Sequence, residues 1–385
     1  MATYTDSIYR TFIEALKNEG WYKEFIDDIN SKYNNTAWRN FAEVMPQQLS
    51  RTWHALLDET EISVMASAVE DVSPTPLRAV KGVSQKYGSI PTFGHGFEIG
   101  VLELRAIREA NYSDDATLQF LTRKYRDRFS SIVQGMHNRI NYMVWEGLAT
   151  GKATLTATND PQGVKFELDY NIPNANKLCV KGGATAKWSN TTNSSTADPI
   201  ADLKRAEKIL DDKGVSSVIH IMNKNTFEAF VMHPKVLAQL KNIAGFDGLE
   251  GLNNLNYVTL ASRIRAIFGI APIYVQDFKA TIEKDGISEV LANPMDDYIV
   301  ATVNANTGSL FSLYNSQSFY YDMVSPMIQI TSTENGLFAV KKEWSNNGLV
   351  TTTEVQGVVA PVLNRGEHLV ILDGNSNSAD GVKTA

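Results

Sequence analysis

One run of the sequence constrains the fold more than any other. Between Asp114 and Gly151 the apolar residues Leu118, Leu121, Tyr125, Phe129, Ile132, Met136, Ile140, Met143 and Leu148 recur at steps of three, four and five. That spacing keeps them on one slowly drifting face of an α-helix. Ser113 stands where an N-cap belongs, and Asp114 and Asp115 complement the positive helix start. At about 1.5 Å per residue the helix would be about 55 Å long, whereas ordinary globular helices run roughly 8–20 residues. Arg123, Lys124, Arg126, Arg128 and Arg139 occupy the other side. Gly135 lies inside the pattern, where glycine costs ~0.5–1 kcal/mol relative to alanine, and marks an expected point of bending. A beam of this length belongs in a chain built into something large.

The flanking sequence is organised around the beam. Residues 1–57 read as short helices: Tyr9, Phe12, Ile13 and Leu16 form one stripe, Trp38, Phe41 and Val44 start another, and Leu49, Trp53, Leu56 and Leu57 follow at helical spacing. Their apolar faces have too little length to close a core and are expected to pack elsewhere, against the rest of the chain or a neighbour. Residues 58–112 carry β-branched residues punctuated by Pro74, Pro76, Gly82 and Pro91, and read as a two-stranded excursion outside the monomer core. Strands are predicted at 153–158 and 164–168, then a polar loop at 181–197. Asp198 as N-cap, Pro199 in the first turn and Gly214 past the end bracket a helix. A strand at 217–222 follows, then helices at 226–233 and 236–243 separated by Pro234. After those come a helix at 261–268 and strands at 273–275, 289–291 and 298–302. Residues 198–317 are thus an α/β unit. Strands at 327–331, 338–342, 351–359 and 369–372 follow, and the simplest arrangement has 114–185 and 318–373 sharing a sheet beside the long helix.

The chemistry-bearing residues point away from catalysis. The 385 residues exceed what one core serves, so two or more compact units are expected. A net charge of −7 gives no global pull toward nucleic acid or anionic membrane. Cys179 is the single cysteine, which excludes an internal disulfide and a Cys-rich metal site. The first residues lack a signal pattern and no run approaches a membrane span, so a soluble protein made in a cytoplasm is expected. Gly147, Gly151 and Lys152 resemble a phosphate loop only superficially. The inter-glycine spacing is one short, Ala153 replaces Ser or Thr, and the motif closes a helix instead of opening one. Gly94, Gly96 and Gly100 are one residue too widely spaced for a dinucleotide fingerprint and read as turns in a hairpin. His54, His95, His137, His220, His233 and His368 show no metal-ligand spacing, and His233 before Pro234 reads as a charged helix-end residue. Asp127 interrupts the basic side of the long helix, which therefore reads as a solvated or intersubunit salt-bridged face. No catalytic, cofactor-binding or metal residue is assigned.

Several stretches carry a family resemblance. They are Phe97 to Glu109 leading into the long helix, the helix end Tyr142 to Gly151, Lys204 to Leu210, Val218 to Met222, Phe230 to Val236, and Val358 to Leu363. In order and content the chain resembles tailed-bacteriophage major capsid proteins of the Hong Kong 97 type. The resemblance implies an α+β fold of five parts. These are an N-terminal arm (1–57), an extended loop (58–112), a peripheral domain with the spine helix (113–197), an inserted axial domain (198–317), and the rest of the peripheral domain with a tail (318–385). It implies a non-enzymatic subunit that self-assembles as hexamers and pentamers into an icosahedral shell around double-stranded DNA. It further implies a scaffolding protein, a portal, decoration proteins, non-specific contact with packaged DNA, no membrane partner, assembly in a host cytoplasm and residence in the virion. A cellular nanocompartment shell of the same fold, or less so an α/β enzyme, is the alternative. Lys81 or Lys86 with Asn346, Asn347 or Asn364 could form the intersubunit crosslink of some relatives, but such residues are common and none is assigned.

Overall fold

The computed structural model describes residues 12, 14, 26, 28, 36–58, 83–103, 114–160, 165–192, 196–244, 257–284, 287–290, 293–306, 310–345 and 350–383. The helical stripe at 9–16, the N-cap at Ser113, and Lys81, Asn346 and Asn347 lie outside the described residues, apart from Phe12. Two compact units emerge: residues 1–53, 89–141 and 313–361 form the first, and 54–88, 142–312 and 362–385 the second.

The strands in chain order are β1 (Ala42–Val44), β2 (Thr52–Asp58), β3 (Val83–Ser89) and β4 (Thr92–Gly100), followed by the long helix α1 (Asp114–Thr150). Next come β5 (Lys152–Leu155), β6 (Phe166–Asp169), β7 (Lys177–Lys181), α2 (Pro199–Asp211), β8 (Val218–Asn223), α3 (Lys224–Met232), α4 (Pro234–Ala244) and α5 (Tyr257–Phe268). The rest is strand: β9 (Ile273–Gln276), β10 (Thr281–Lys284), β11 (Ile287–Val290), β12 (Ile299–Asn304), β13 (Phe311–Asn315), β14 (Ile328–Thr333), β15 (Phe338–Trp344), β16 (Val350–Leu363) and β17 (Val370–Ser378).

α1 is one helix of 37 residues, as its periodicity dictates. In the first unit it buries Leu121, Tyr125, Phe129, Ile132, Met136 and Ile140, and in the second Met143, Val144, Trp145 and Leu148. Each such side chain contributes ~1.5–3 kcal/mol of transfer free energy. Gly151 ends the helix at φ +76°, its N–H on the Gly147 carbonyl at 3.0 Å, so the phosphate-loop lookalike is a glycine helix stop.

The first unit is built on a sheet of order β1-β13-β16-β15-β14, with β4 also paired to β16. β4 runs antiparallel to β16 over nine register pairs, from Thr92↔Val358 to Gly100↔Val350. This corrects the expectation of an excursion outside the core: Phe93 and Ile99 are buried, and Gly94, Gly96 and Gly100 are strand positions, not turns. Gly96 has a reason in packing, since a Cβ there would sit 3.1 Å from the Thr353 carbonyl and 2.9 Å from Glu354 Cγ. The helical reading of 38–57 is also overturned. A 3-10 turn covers Ala37–Asn40, β1 and β2 are strands, β2 paired with β3, and the chain between β1 and β2 is irregular.

The second unit holds a five-stranded sheet of order β7-β17-β12-β8-β9. β8 pairs parallel with β9 and β17 parallel with β7, while β12 runs antiparallel to both β8 and β17. Residues of α2, α3 and α5 close one core with it, including Leu203, Leu210, Phe227, Phe230, Ile264, Met222, Val300 and Leu372. β17 was expected beside the strands of 327–359 but lies inside this sheet. Asp198 Oδ1 accepts the Ala201 N–H at 3.2 Å and caps α2, and Gly214 follows it at φ +81°. Asn223 Oδ1 accepts the Thr226 N–H at 2.7 Å and caps α3. β5–β6 and β10–β11 are separate two-stranded sheets.

Candidate assembly surfaces

In the first unit a polar latch ties the segment before β1 to α1. Trp38 is fully buried, and its backbone N–H donates to Asn141 Oδ1 at 2.8 Å. Its indole Nε1–H donates to His137 Nδ1 at 3.1 Å. Nδ1 is therefore the acceptor, which leaves the ring proton on Nε2, 3.5 Å from Glu334 Oε1. Glu334 Oε2 also pairs with Arg39 at 2.5 Å. Glu334 sits at φ +54°, a left-handed conformation unfavourable for a residue with a Cβ, in the turn between β14 and β15. The latch thus secures three distant stretches of chain around one carboxylate. No sequence signal announces it, because Trp38 and His137 are 99 residues apart.

The basic side of α1 is used within the chain. Lys124 and Arg128 reach Glu103 at 2.5 and 2.6 Å, and Arg126 pairs with Asp28. Burial pushes the Glu103 carboxyl up, but the hydrogen bonds and charges of Lys124 and Arg128 outweigh it and hold Glu103 below the usual carboxylate range. Arg139 lies over the Phe93 ring. Lys124, Arg126 and Arg128 are thus salt-bridged within the chain, where solvation or an intersubunit partner was expected.

The second unit contains an arrangement that sequence reading missed. Glu207 Oε1 lies 2.9 Å from His220 Nε2, and His220 Nδ1 lies 2.9 Å from Thr302 Oγ1. Carboxylate, imidazole and hydroxyl in line have the order of a covalent-catalysis relay. His220 and Thr302 are register partners in central strands β8 and β12, however, and both are fully buried. A nucleophile must meet its substrate, so this relay is internal wiring of the sheet. Glu207 also accepts the Ala271 N–H. Burial raises its carboxyl, and these bonds more than offset the rise. His233, expected to be charged at a helix end, is buried instead, and burial pushes its imidazole below the ordinary range.

Surface features complete the picture. Phe319, Met323, Val324 and Met327 are exposed along one run of the first unit, with Val324 98% exposed, and the Arg51 guanidinium stacks on Phe319 at 3.6 Å. Exposed apolar clusters of this kind mark surfaces that another molecule covers. In the second unit a groove of about 460 Å³ beside β9 is lined by Val258, Ala261, Ile273 and Val275 with Lys224, Arg265 and Asp277. A polar groove of about 600 Å³ holds Lys204, Lys208, Arg265, Glu207 and Asp211. A third cavity, of about 420 Å³, lies among Asn304, Asn306, Asn364, Arg365 and His368. Among the described residues no group of three or more His, Cys, Asp or Glu could hold a metal ion, and no helix is long and apolar enough to cross a membrane.

The family model described as phage major capsid protein E matches residues 41–298, two-thirds of the chain. The chain belongs to that family. Its fold is the Hong Kong 97-like capsid fold, and its work is structural, as a major capsid protein forming the icosahedral shell of a phage. Two solved structures share the fold. One is a phage-related protein from Bordetella bronchiseptica RB50, 13% identical, with 91% of this chain and 96% of that one covered and a TM-score of 0.50. The other, assigned as a prophage capsid protein of Escherichia coli CFT073, is 15% identical, with 92% and 98% covered and a TM-score of 0.50. No curated protein matches the chain. The exposed run at 319–327 and the long helix now have a context: a shell subunit is surrounded by copies of itself.

Proposed function

We propose that this capsid subunit assembles as hexamers and pentamers into a head shell around double-stranded DNA, with a separate scaffolding protein and a portal, in the cytoplasm of the host. In this reading residues 1–57 carry the N-terminal arm, the extended loop lies within 58–91, the peripheral domain with spine is built on α1 and the sheet of β1, β4 and β13–β16, and the axial domain is the rest of 198–317 joined by β17. The protein has no turnover of its own in this reading, since the imidazole and hydroxyl of the Glu207–His220–Thr302 set are fully buried in a sheet. The observation that carries the reading is the capsid family match across residues 41–298, on a fold organised around a 37-residue helix.

Expression of the full chain with and without the neighbouring phage head genes, followed by electron microscopy and light scattering, tests it. Closed shells or ring-shaped hexamers and pentamers are the expected products. A protein that stays monomeric in every combination would refute the assembly reading. Shells that fill with an enzyme and never with DNA would point to a nanocompartment instead.

A further inference from the structure

The third cavity of the second unit differs from the other two in its electrostatics. The groove beside β9 contains Asp277, and the larger polar groove contains Glu207 and Asp211. The cavity of about 420 Å³ is lined by Asn304, Asn306, Leu310, Asn364, Arg365 and His368, with no carboxylate among them. In a chain of net charge −7 this is an exceptional lining. Its Arg365 is exposed and forms no ion pair among the described residues. The nearest acid in sequence, Glu367, acts on both Lys213 and His368, and at His368 it is opposed by the charges of Arg365 and Lys213. Lys213 Nζ is itself anchored on Asn176 Oδ1 at 2.6 Å and on the Glu367 carbonyl at 3.1 Å, which adds positive charge behind the site.

The asparagines are set in a particular way. Asn304 Oδ1 accepts the Asn306 backbone N–H at 3.0 Å, and Asn364 Oδ1 accepts the Ser312 hydroxyl at 2.8 Å. With the Asn304 oxygen engaged inside the protein, its amide N–H₂ group stands as a donor beside the Arg365 guanidinium, and the Asn306 side-chain amide adds a further donor. A guanidinium fork beside amide donors is the arrangement that recognises tetrahedral oxyanions. Arg365 and Asn306 are exposed, His368 is buried, and the volume far exceeds one phosphate, leaving space for the groups a phosphodiester carries.

We propose that this cavity binds a phosphate group, through Arg365 with the Asn304 and Asn306 side chains. Its source is either the backbone of nucleic acid or free phosphate. The anion site itself does not depend on the shell reading; only the nucleic-acid source draws on it.

The experiment uses the full chain and two probes, a labelled 20-base-pair duplex read by fluorescence anisotropy and inorganic phosphate read by ³¹P line broadening. Arg365→Ala should weaken binding about tenfold or more, the range of a lost charge-assisted contact. It should also lower the salt dependence of duplex binding by about one counterion. Asn306→Ala, at an exposed position, should weaken it less and serves as the second variant if Arg365→Ala melts early. Arg265→Ala, in the acid-containing grooves, should change binding less than about twofold. Duplex displaced by phosphate supports the backbone as ligand. Phosphate bound in an Arg365-dependent way without any duplex binding supports the anion site and rejects nucleic acid as its source. If neither probe binds, or if Arg365→Ala and Asn306→Ala bind both as the parent does, the site does not exist. Because shells are scored separately by microscopy, a loss of binding with normal shells, or the reverse, separates this proposal from the assembly reading.

Discussion

Gly357 lies where the central sheet of the first unit meets α1, and adding one methyl group there tests how that unit is packed. In β16 it stands between two phenylalanines, opposite Phe338 of β15 and Phe93 of β4. A Cβ at 357 would fall 2.7 Å from Phe338 Cδ1 and 3.0 Å from the Met136 methyl of α1. Both neighbours are buried, so neither can swing into solvent. Overpacking of this kind costs ~1–3 kcal/mol. The lower chain entropy of alanine in the unfolded state returns ~0.5–1 kcal/mol. Gly357→Ala should therefore destabilise by about 1–2 kcal/mol, read as a lower urea midpoint with unchanged slope. Phe338→Leu should be destabilising alone through lost contacts, yet should relieve the clash. The double variant should be more stable than the sum of the two by about 1 kcal/mol. A Gly357→Ala protein within about 0.3 kcal/mol of the parent, or strict additivity in the cycle, would show that α1 and the sheet are not in contact at this point as described.

Trp38→Ala should cost about 3–5 kcal/mol, the range for emptying a buried aromatic site, and should release the segment before β1 to proteolysis while leaving the second unit's hydrogen exchange unchanged. Burial holds the imidazoles of His233 and His368 below the ordinary range. A base depressed in the folded state contributes stability that is present above its unfolded pKa of about 6.5 and is lost as pH falls toward the folded value. The melting temperature should therefore drop between about pH 7.5 and 5.5, and His233→Gln should shrink that drop; an equal drop in the variant would remove His233 from the account. Replacing residues 59–82, which join β2 to β3, with a short Gly-Ser linker should leave the melting of isolated subunits near that of the parent and abolish shells. Normal shells from that variant would show that the extended loop has no part in joining subunits.

Much of the frame was legible because its signals are local and repeated. Nine apolar residues on one face predict α1, and Asp198, Pro199 and Gly214 bracket α2 within three residues of its ends. Pro234 divides α3 from α4 for a reason any sequence shows. The errors fall where the deciding partner is remote. Leu49, Trp53, Leu56 and Leu57 fit a helix by spacing, but Thr52–Asp58 finds an edge to pair with in Val83–Ser89, and seven residues are too few for periodicity to decide. Gly135 was read as a bend; in the structure a Cβ there would lie 3.1 Å from His95 Cδ2, so close approach of β4 gives it a purpose. The latch at Glu334 and the Glu207–His220–Thr302 relay join residues that no short motif links. The anion cavity escaped for the same reason, since Asn304 and Arg365 come from different strand ends.

The place of β17 has a consequence for when the subunit can be finished. Residues 370–378 sit between β12 and β7, so the second unit's sheet stays split until they arrive. On a ribosome, β8, β9 and β12 can pair early, but β7 must wait, although it was made nearly two hundred residues before its partner. β17 acts as a late closing step: a nascent chain cannot present a completed second unit to its neighbours. The second unit's sheet is complete only in subunits whose synthesis has passed that strand.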